Sequence, residues 1–278
     1  MKDASAPAMD IPRPEHPRPD FMRQPWLNLN GRWRFTFDPH NVGEQRRWYR
    51  LPHPEVALAQ GGDVLPLLLA ASRQGEGGVA QPFVEDPFGL EITVPFPWES
   101  RLSGLSAKEY KGAAWYQRSL EVPSEWAQAD TGDGPLRWRR RPYLCFGAVD
   151  WHARVWVNGR FAGEHSGGYT PFSLDIGRFV QPGGLATLTV RAYDACDADT
   201  LLGKQTYDWY TPSSGIWQTV WLEGRAGAHL SRLHITPQLG AGKASFAVTI
   251  DAEPSVAGSA YRLTVTSADG SFPEVAQR

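Results

Sequence analysis

Along most of the chain hydrophobic and polar positions alternate with a period of two. The runs that do so are rich in Val, Thr, Trp and Tyr and are bounded by Gly, Pro, Asn and Asp. This is the pattern of strands with one face buried and one in water, because successive side chains on a strand point to opposite sides. The clearest runs predict strands over 31–37, 115–122, 141–146, 153–157, 186–193 and 218–222. Helical periodicity is scarce. The expectation is an all-β protein in which two sheets pack face to face.

Asn158-Gly159 separates Arg154-Val155-Trp156-Val157 from Arg160-Phe161-Ala162-Gly163 and predicts a two-residue type I′ hairpin, whose central residues must both take positive φ. Residues 55–90 fit no regular pattern and read as a long surface insertion with a helical turn, and 127–135 reads as a polar strand connection. The first 20 residues, rich in Pro among charges, read as a disordered lead-in. After residue 227 three further alternating runs appear with fewer aromatics, at 230–236, 244–250 and 261–266, so a second β domain is expected from about residue 228.

Composition narrows the function. With 28 basic and 30 acidic side chains the net charge is −2, which gives counterion release on nucleic acid or attraction to anionic lipid little to work with. No apolar run approaches the roughly 20 residues of a spanning helix. No signal-peptide core or Asn-x-Ser/Thr sequon occurs, and Cys145 and Cys196 are too few for a disulfide framework. A soluble, cytoplasmic protein is expected, with no nucleic-acid partner and no membrane association. The 12 tryptophans are far above the ordinary share, and tryptophan both packs sandwiches and stacks on sugar rings.

Generic catalytic motifs are missing from the sequence: no Gly-x-Ser-x-Gly, His-Glu-x-x-His or Cys-x-x-Cys occurs. Gly240-Ala241-Gly242-Lys243-Ala244 lacks the first Gly and the Ser/Thr of a phosphate loop. The acidic set Asp194, Asp197 and Asp199 lacks the Gly and Glu of an EF-hand loop and allows only a looser cation site. The run Arg137 to Arg141 reads as a solvated strand entrance, and His165, in a turn-rich stretch, as a hydrogen-bonded loop residue. No cofactor or metal is expected.

Several segments together resemble one family. Leu29-Asn30-Gly31-Arg32-Trp33-Arg34-Phe35, Val94-Pro95-Phe96-Pro97-Trp98 and Tyr110-Lys111-Gly112-Ala113-Ala114-Trp115-Tyr116-Gln117-Arg118 are followed by Phe146-Gly147-Ala148-Val149-Asp150 and Val155-Trp156-Val157-Asn158-Gly159. Then come Gly163-Glu164-His165-Ser166-Gly167-Gly168-Tyr169-Thr170-Pro171-Phe172 and Gly215-Ile216-Trp217-Gln218-Thr219-Val220-Trp221-Leu222-Glu223. From about residue 20 to 225 this order is similar to the N-terminal domain of family 2 glycoside hydrolases, which groups β-galactosidases, β-glucuronidases and β-mannosidases. The resemblance implies a jelly-roll (galactose-binding-like) β-sandwich over 21–227, then an immunoglobulin-like β-sandwich, incomplete here over 228–278, then a catalytic (β/α)₈ barrel. A barrel takes about 250 residues. The glutamate acid/base and nucleophile of the retaining mechanism are therefore expected to lie outside this chain, which alone should be catalytically silent.

The resemblance carries over one substrate contact. In the galactosidase and glucuronidase branches an aspartate shortly before a Gly-Ile pair reaches into the barrel's sugar site. Asp208, ahead of Gly215-Ile216 with a one-residue gap, is its counterpart. Trp209 and Tyr210 flank it as packing or rim aromatics and complete the candidate substrate-binding set. Trp33, Trp115, Trp156 and Trp221 are expected to fill the sandwich core or its seam with the barrel. The implied partners are a β-linked carbohydrate and the enzyme's own barrel, with a homo-oligomer possible. The alternatives from other classes are a stand-alone carbohydrate-binding module and an assembly domain.

Overall fold

A computed structural model of the chain describes residues 11–61, 86–127, 138–196, 210–253, 263–266 and 275–277. It divides into two compact units, Met1–Gly224 and Arg225–Arg278. The strands are β1 (Trp26–Asn28), β2 (Gly31–Asp38), β3 (Leu90–Val94), β4 (Gly112–Glu121), β5 (Arg141–Phe146), β6 (Val149–Asp150), β7 (His152–Val157), β8 (Arg160–Ser166), β9 (Phe172–Asp175), β10 (Leu185–Asp194), β11 (Gly215–Ile216) and β12 (Val220–Arg225). They are followed by β13 (Ala228–Gln238), β14 (Lys243–Ala252), β15 (Leu263–Val265) and β16 (Val275–Gln277).

The first unit is an all-β sandwich. One sheet has the order β3-β2-β4-β10-β7-β8 and the other β1-β12-β5-β9, while β11 and β6 form a short pair. Alternation decides which side chains enter the core. From β2 come Trp33 and Phe35, from β4 Ala114, Tyr116 and Leu120, from β7 Ala153, Val155 and Val157, and from β10 Ala186, Leu188, Val190 and Ala192. The smaller sheet answers with Leu144, Phe146, Val220 and Leu222. Full burial of the Val, Leu and Phe side chains among them contributes roughly 1.5–3 kcal/mol each, which is what closes the two layers.

The opposite face of the larger sheet is covered as well. Trp115 and Trp156 stack there at 5.3 Å, and Trp48 and Phe88 complete a second apolar cluster. Asp38, at the end of β2, fixes the covering segment. Its carboxylate accepts from Val42 N and Gly43 N, both at 2.8 Å, and from Trp115 Nε1 at 3.0 Å. Four tryptophans expected in the core or at a seam are thus buried in three places: Trp33 between the sheets, Trp115 and Trp156 on the outer face, and Trp221 beside His16.

The hairpin between β7 and β8 forms as its sequence dictates, with φ of 50° at Asn158 and 72° at Gly159. Asn158 also works beyond its turn, since its side chain accepts from Thr187 N at 2.8 Å and donates to Phe179 O at 2.9 Å. The helical turn expected in the 55–90 insertion is Pro54–Ala59, and 62–85 lies outside the described residues.

Residues 11–20, expected as part of a disordered lead-in, are ordered instead. Asn28 and Asn30 hold the carbonyls of Arg13 and Pro12 at 2.8 and 3.0 Å, and His16 is buried edge-on against Trp26. Composition alone missed this because the partners are side chains ten or more residues away. In the second unit β13 pairs with β14 in one long antiparallel hairpin, and β15 pairs with β16. Among the described residues no helix is long and apolar enough to cross a membrane.

Candidate functional site

One edge of the sandwich gathers polar and aromatic groups. The β6–β11 pair sets Gly215 opposite Asp150 and Ile216 opposite Val149. After β8 the chain turns at Gly167 and Gly168 and lies over the fully buried Asp150; a Cβ on Gly168 would overlap the Asp150 carboxylate, so the position requires glycine. Trp217 Nε1 donates to Gly168 O at 2.7 Å, and the Trp217 ring meets Tyr169 edge to face at 6.1 Å. Tyr169 and Tyr210 are both about half exposed, at 52% and 49%. Burial holds the Tyr169 phenol above its ordinary range, helped by the negative charge of Asp150 and by Tyr210. On another side of Tyr169 opens a groove of about 340 Å³, shared with Arg18, Gln218 and Trp221. The edge therefore offers ring faces that can cover C–H surfaces and phenol and amide groups that can bond hydroxyls.

Beneath this edge the ends of the 197–213 connection are held by buried carboxylates. Ser214 donates twice to Glu99, from its backbone N at 3.0 Å and its Oγ at 2.6 Å. Asp194 accepts from Cys196 N at 2.9 Å and from Cys196 Sγ at 3.3 Å. Cys196 Sγ and Ser214 Oγ lie 3.3 Å apart, so the two ends meet. Next in the chain, Ile216 N donates to the buried Tyr116 Oη at 3.3 Å. Burial is the main cause that raises both carboxyls above their ordinary range. The Ser214 and Cys196 bonds oppose it, the proximity of Asp194 raises Glu99 further, and Lys111 draws Asp194 back down. Burial also pushes the Cys196 thiol up to about 12, so it stays protonated.

Of the predicted site residues, Asp208 and Trp209 lie outside the described residues, while Tyr210 is exposed. His165, expected as a hydrogen-bonded loop residue, lies instead in β8 opposite Ala153, though it is hydrogen-bonded as expected. Its Nε2 lies 2.9 Å from Thr170 Oγ1, its ring stacks on Phe172 at 4.4 Å, and burial lowers its basicity. Among the described residues no three His, Cys, Asp or Glu side chains cluster so as to hold a metal. Asp194, weighed as part of a loose cation site, is occupied by Cys196. Sequence reasoning missed Asp150, Tyr169 and Trp217 as parts of one edge. The signal available was the Gly167-Gly168 pair, which marks a backbone passing close over something else.

The class this fold defines is an all-β sandwich whose rim chemistry suits a polyhydroxylated ligand. Residues 85–225 match the family described as glycosyl hydrolases family 2, sugar binding domain, and the chain belongs to that family. Among its relatives, a β-glucuronidase of Felis catus is 29% identical over 58% of this chain and 20% of its own length. One of Paenibacillus borealis is 26% identical over 63% of this chain and 22% of its own. A β-galactosidase of Thermoanaerobacter pseudethanolicus is 27% identical over 46% and 16%. The solved β-glucuronidase of Ruminococcus gnavus in complex with uronic isofagomine superposes with a TM-score of 0.60 at 18% identity, covering 91% of this chain and 37% of that one, and so shares the fold. The chain spans about a fifth of the length of the curated relatives it matches.

Proposed function

We propose that this chain forms one wall of the sugar site of a retaining family 2 β-glycosidase and supports its catalytic barrel, with terminal β-glucuronides as the substrate class. The observation that carries the reading is the family match over 85–225, which runs through both ends of the 197–213 connection and the edge built by Asp150, Tyr169 and Trp217. Support for the substrate class comes from relatives that are β-glucuronidases, those of Felis catus and Paenibacillus borealis among them.

Within this reading Asp208 accepts hydrogen bonds from two sugar hydroxyls and fixes the orientation of the ring, while Trp209 and Tyr210 line the rim. A bidentate carboxylate is suited to this because each oxygen carries two acceptor sites and the charge strengthens both bonds. Proton transfer to the leaving oxygen and the covalent step belong to the barrel's two carboxyl groups, about 5 Å apart in a retaining enzyme. Division of labour is the consequence: this chain binds and orients, and the barrel reacts.

The test is turnover of nitrophenyl β-glucuronide and β-galactoside by this chain alone and by the chain joined to a family 2 barrel. The expected result is silence from the chain alone and glucuronide-selective turnover from the joined protein. Tight sugar binding by the chain alone, with no gain from a barrel, would instead favour a stand-alone binding module.

A further inference from the structure

The outer face of the larger sheet is apolar in one part and charged in another. Trp48, Phe88, Trp115 and Trp156 close the apolar part. Beside it, β10, β7 and β8 set charged side chains next to one another: Arg191 stands opposite Arg154, Arg154 opposite Glu164, and one row further Tyr193 opposite His152. With Asn41 and Glu44 these residues line a groove of about 420 Å³, a size that suits a small ligand. None of them belongs to the edge built by Asp150, Tyr169 and Trp217.

Two guanidinium groups directly opposite each other across a strand pair are unfavourable neighbours. Glu44 offsets this, since its Oε2 accepts from Arg154 Nη1 and its Oε1 lies 3.6 Å from Arg191 Nε. It is placed there by the segment that Asp38 fixes through Val42 N and Gly43 N. Asn41, in the same segment with φ at 52°, accepts from Arg191 Nη2 at 2.6 Å. Glu164 continues the series, 3.2 Å from Arg154 Nε and 3.9 Å from His152 Nε2. Arg191 is the fixed floor, with its side chain 7% exposed, whereas those of Glu44, Arg154 and Glu164 are 34%, 30% and 55% exposed and keep open sides toward the groove. The wall is thus organised before a ligand arrives, which lowers the ordering that binding requires.

The lining selects the class of ligand. Two guanidinium groups face two carboxylates, and burial, aided by Arg191, holds His152 below its ordinary range, so the groove is balanced in charge at neutral pH. An anion would meet Glu44 and Glu164, and a cation would meet Arg154 and Arg191. A zwitterion would have to break the ion pairs already made. Hydroxyl groups need not, because each both donates and accepts and can add to the open sides of carboxylate, guanidinium, imidazole and amide. Tyr193, half-buried at the groove, supplies ring surface for C–H groups. We propose that this outer-face groove is a binding site for a neutral sugar ring, formed by residues other than those of the edge and independent of the role proposed for that edge.

The test is an NMR titration of the intact 278-residue chain with the methyl β-glycosides of glucose, galactose and mannose, and with glucuronate and glucosamine as charged counterparts. At least one neutral glycoside is expected to bind with a Kd of about 1–10 mM, the range for one ring in an open groove. Glu164→Ala and Asn41→Gly each remove one polar group from the groove, the glycine keeping the positive φ, and are expected to weaken binding by at least about fivefold with the melting temperature within a few degrees of wild type. Tyr169→Ala, at the edge, should leave binding as in wild type. Backbone amide shifts give a readout that needs no variant: changes at 152–154 and 164–166 support the groove, and changes confined to 167–169 and 215–217 overturn it. Absence of neutral glycoside binding up to about 50 mM overturns the proposal. Tighter binding of glucuronate or glucosamine than of every neutral glycoside overturns the ligand class. Binding unchanged in both groove variants overturns the location; if Tyr169→Ala abolishes it instead, the sugar sits at the edge and the role proposed there stands without the groove.

Discussion

Between the sheets the buried side chains are Trp33, Phe35, Leu144, Phe146 and Leu188, whereas at one edge of the same unit they are Glu99, Asp194, Ser214 and Cys196. The first group loses water favourably and, apart from the Trp33 indole N–H that donates to Leu29 O, needs no particular partner. The second loses water at a cost and is tolerable only because each donor meets an acceptor. Apolar packing explains why the chain folds, and the polar edge shows that burial there depends on matched donors and acceptors.

The comparison can be broken most strongly from the apolar side. Phe35 is fully buried between Phe37 and Tyr116, so Phe35→Ala should cost about 3–5 kcal/mol in chemical denaturation. A cost below about 1 kcal/mol would mean that the sheets are held by something else. Next comes Gly215→Ala, whose Cβ would overlap Tyr116 Oη at a positive φ; about 1–3 kcal/mol is expected. Pairing it with Tyr116→Phe should recover part of that loss, and strict additivity of the two would deny that the hydroxyl is the obstacle.

The polar edge also predicts a pH dependence. Glu99 and Asp194 bind protons more tightly folded than unfolded. Their contribution is therefore complete below their ordinary values of 4.5 and 3.8 and is lost as pH rises through the higher folded values. His53, His152 and His165 run the other way: burial lowers them, so their contribution is complete above 6.5 and is lost as pH falls through the lowered values. Subtracting the Glu99→Gln profile from that of wild type removes the histidines. The difference should show wild type losing ground as pH rises, and a flat difference would leave Glu99 without a shifted titration. The smallest effect belongs to the solvent-facing pair Arg32–Glu91 at 3.3 Å, mostly exposed on both sides. Arg32→Ala should change stability by no more than about 0.5 kcal/mol, checked by the same denaturation series.

Central strands were legible in the sequence because apolar and polar residues alternate along them, in β10 even though both of its faces are buried. Arg141 to Phe146 is matched end to end, and 31–37 and 186–193 to within a residue at each end. Asn158-Gly159 was legible for a local reason, since the turn itself demands those residues. The short strands β1, β3, β6, β9 and β11 were not, because two to five residues cannot display a period and their pairing partners are distant in sequence. Glu99 and Ser214 are invisible for the same reason. They lie 115 positions apart, and nothing local marks a glutamate after Trp98 as the acceptor for a serine before Gly215. The candidate contact at Asp208 came from family resemblance, and only Tyr210 of its set lies among the described residues.

The central proposal is that this chain contributes a sugar contact and leaves the chemistry to a barrel. Steady-state kinetics of Asp208→Asn in a protein that joins this chain to a family 2 barrel, with the melting temperature measured on the same samples, tests it most directly. Loss of a charge-assisted bond of roughly 1.5–3 kcal/mol predicts a fall in kcat/KM of about ten- to a hundredfold with the melting temperature unchanged. Wild-type kinetics together with a lowered melting temperature would make Asp208 a structural loop residue and contradict the account.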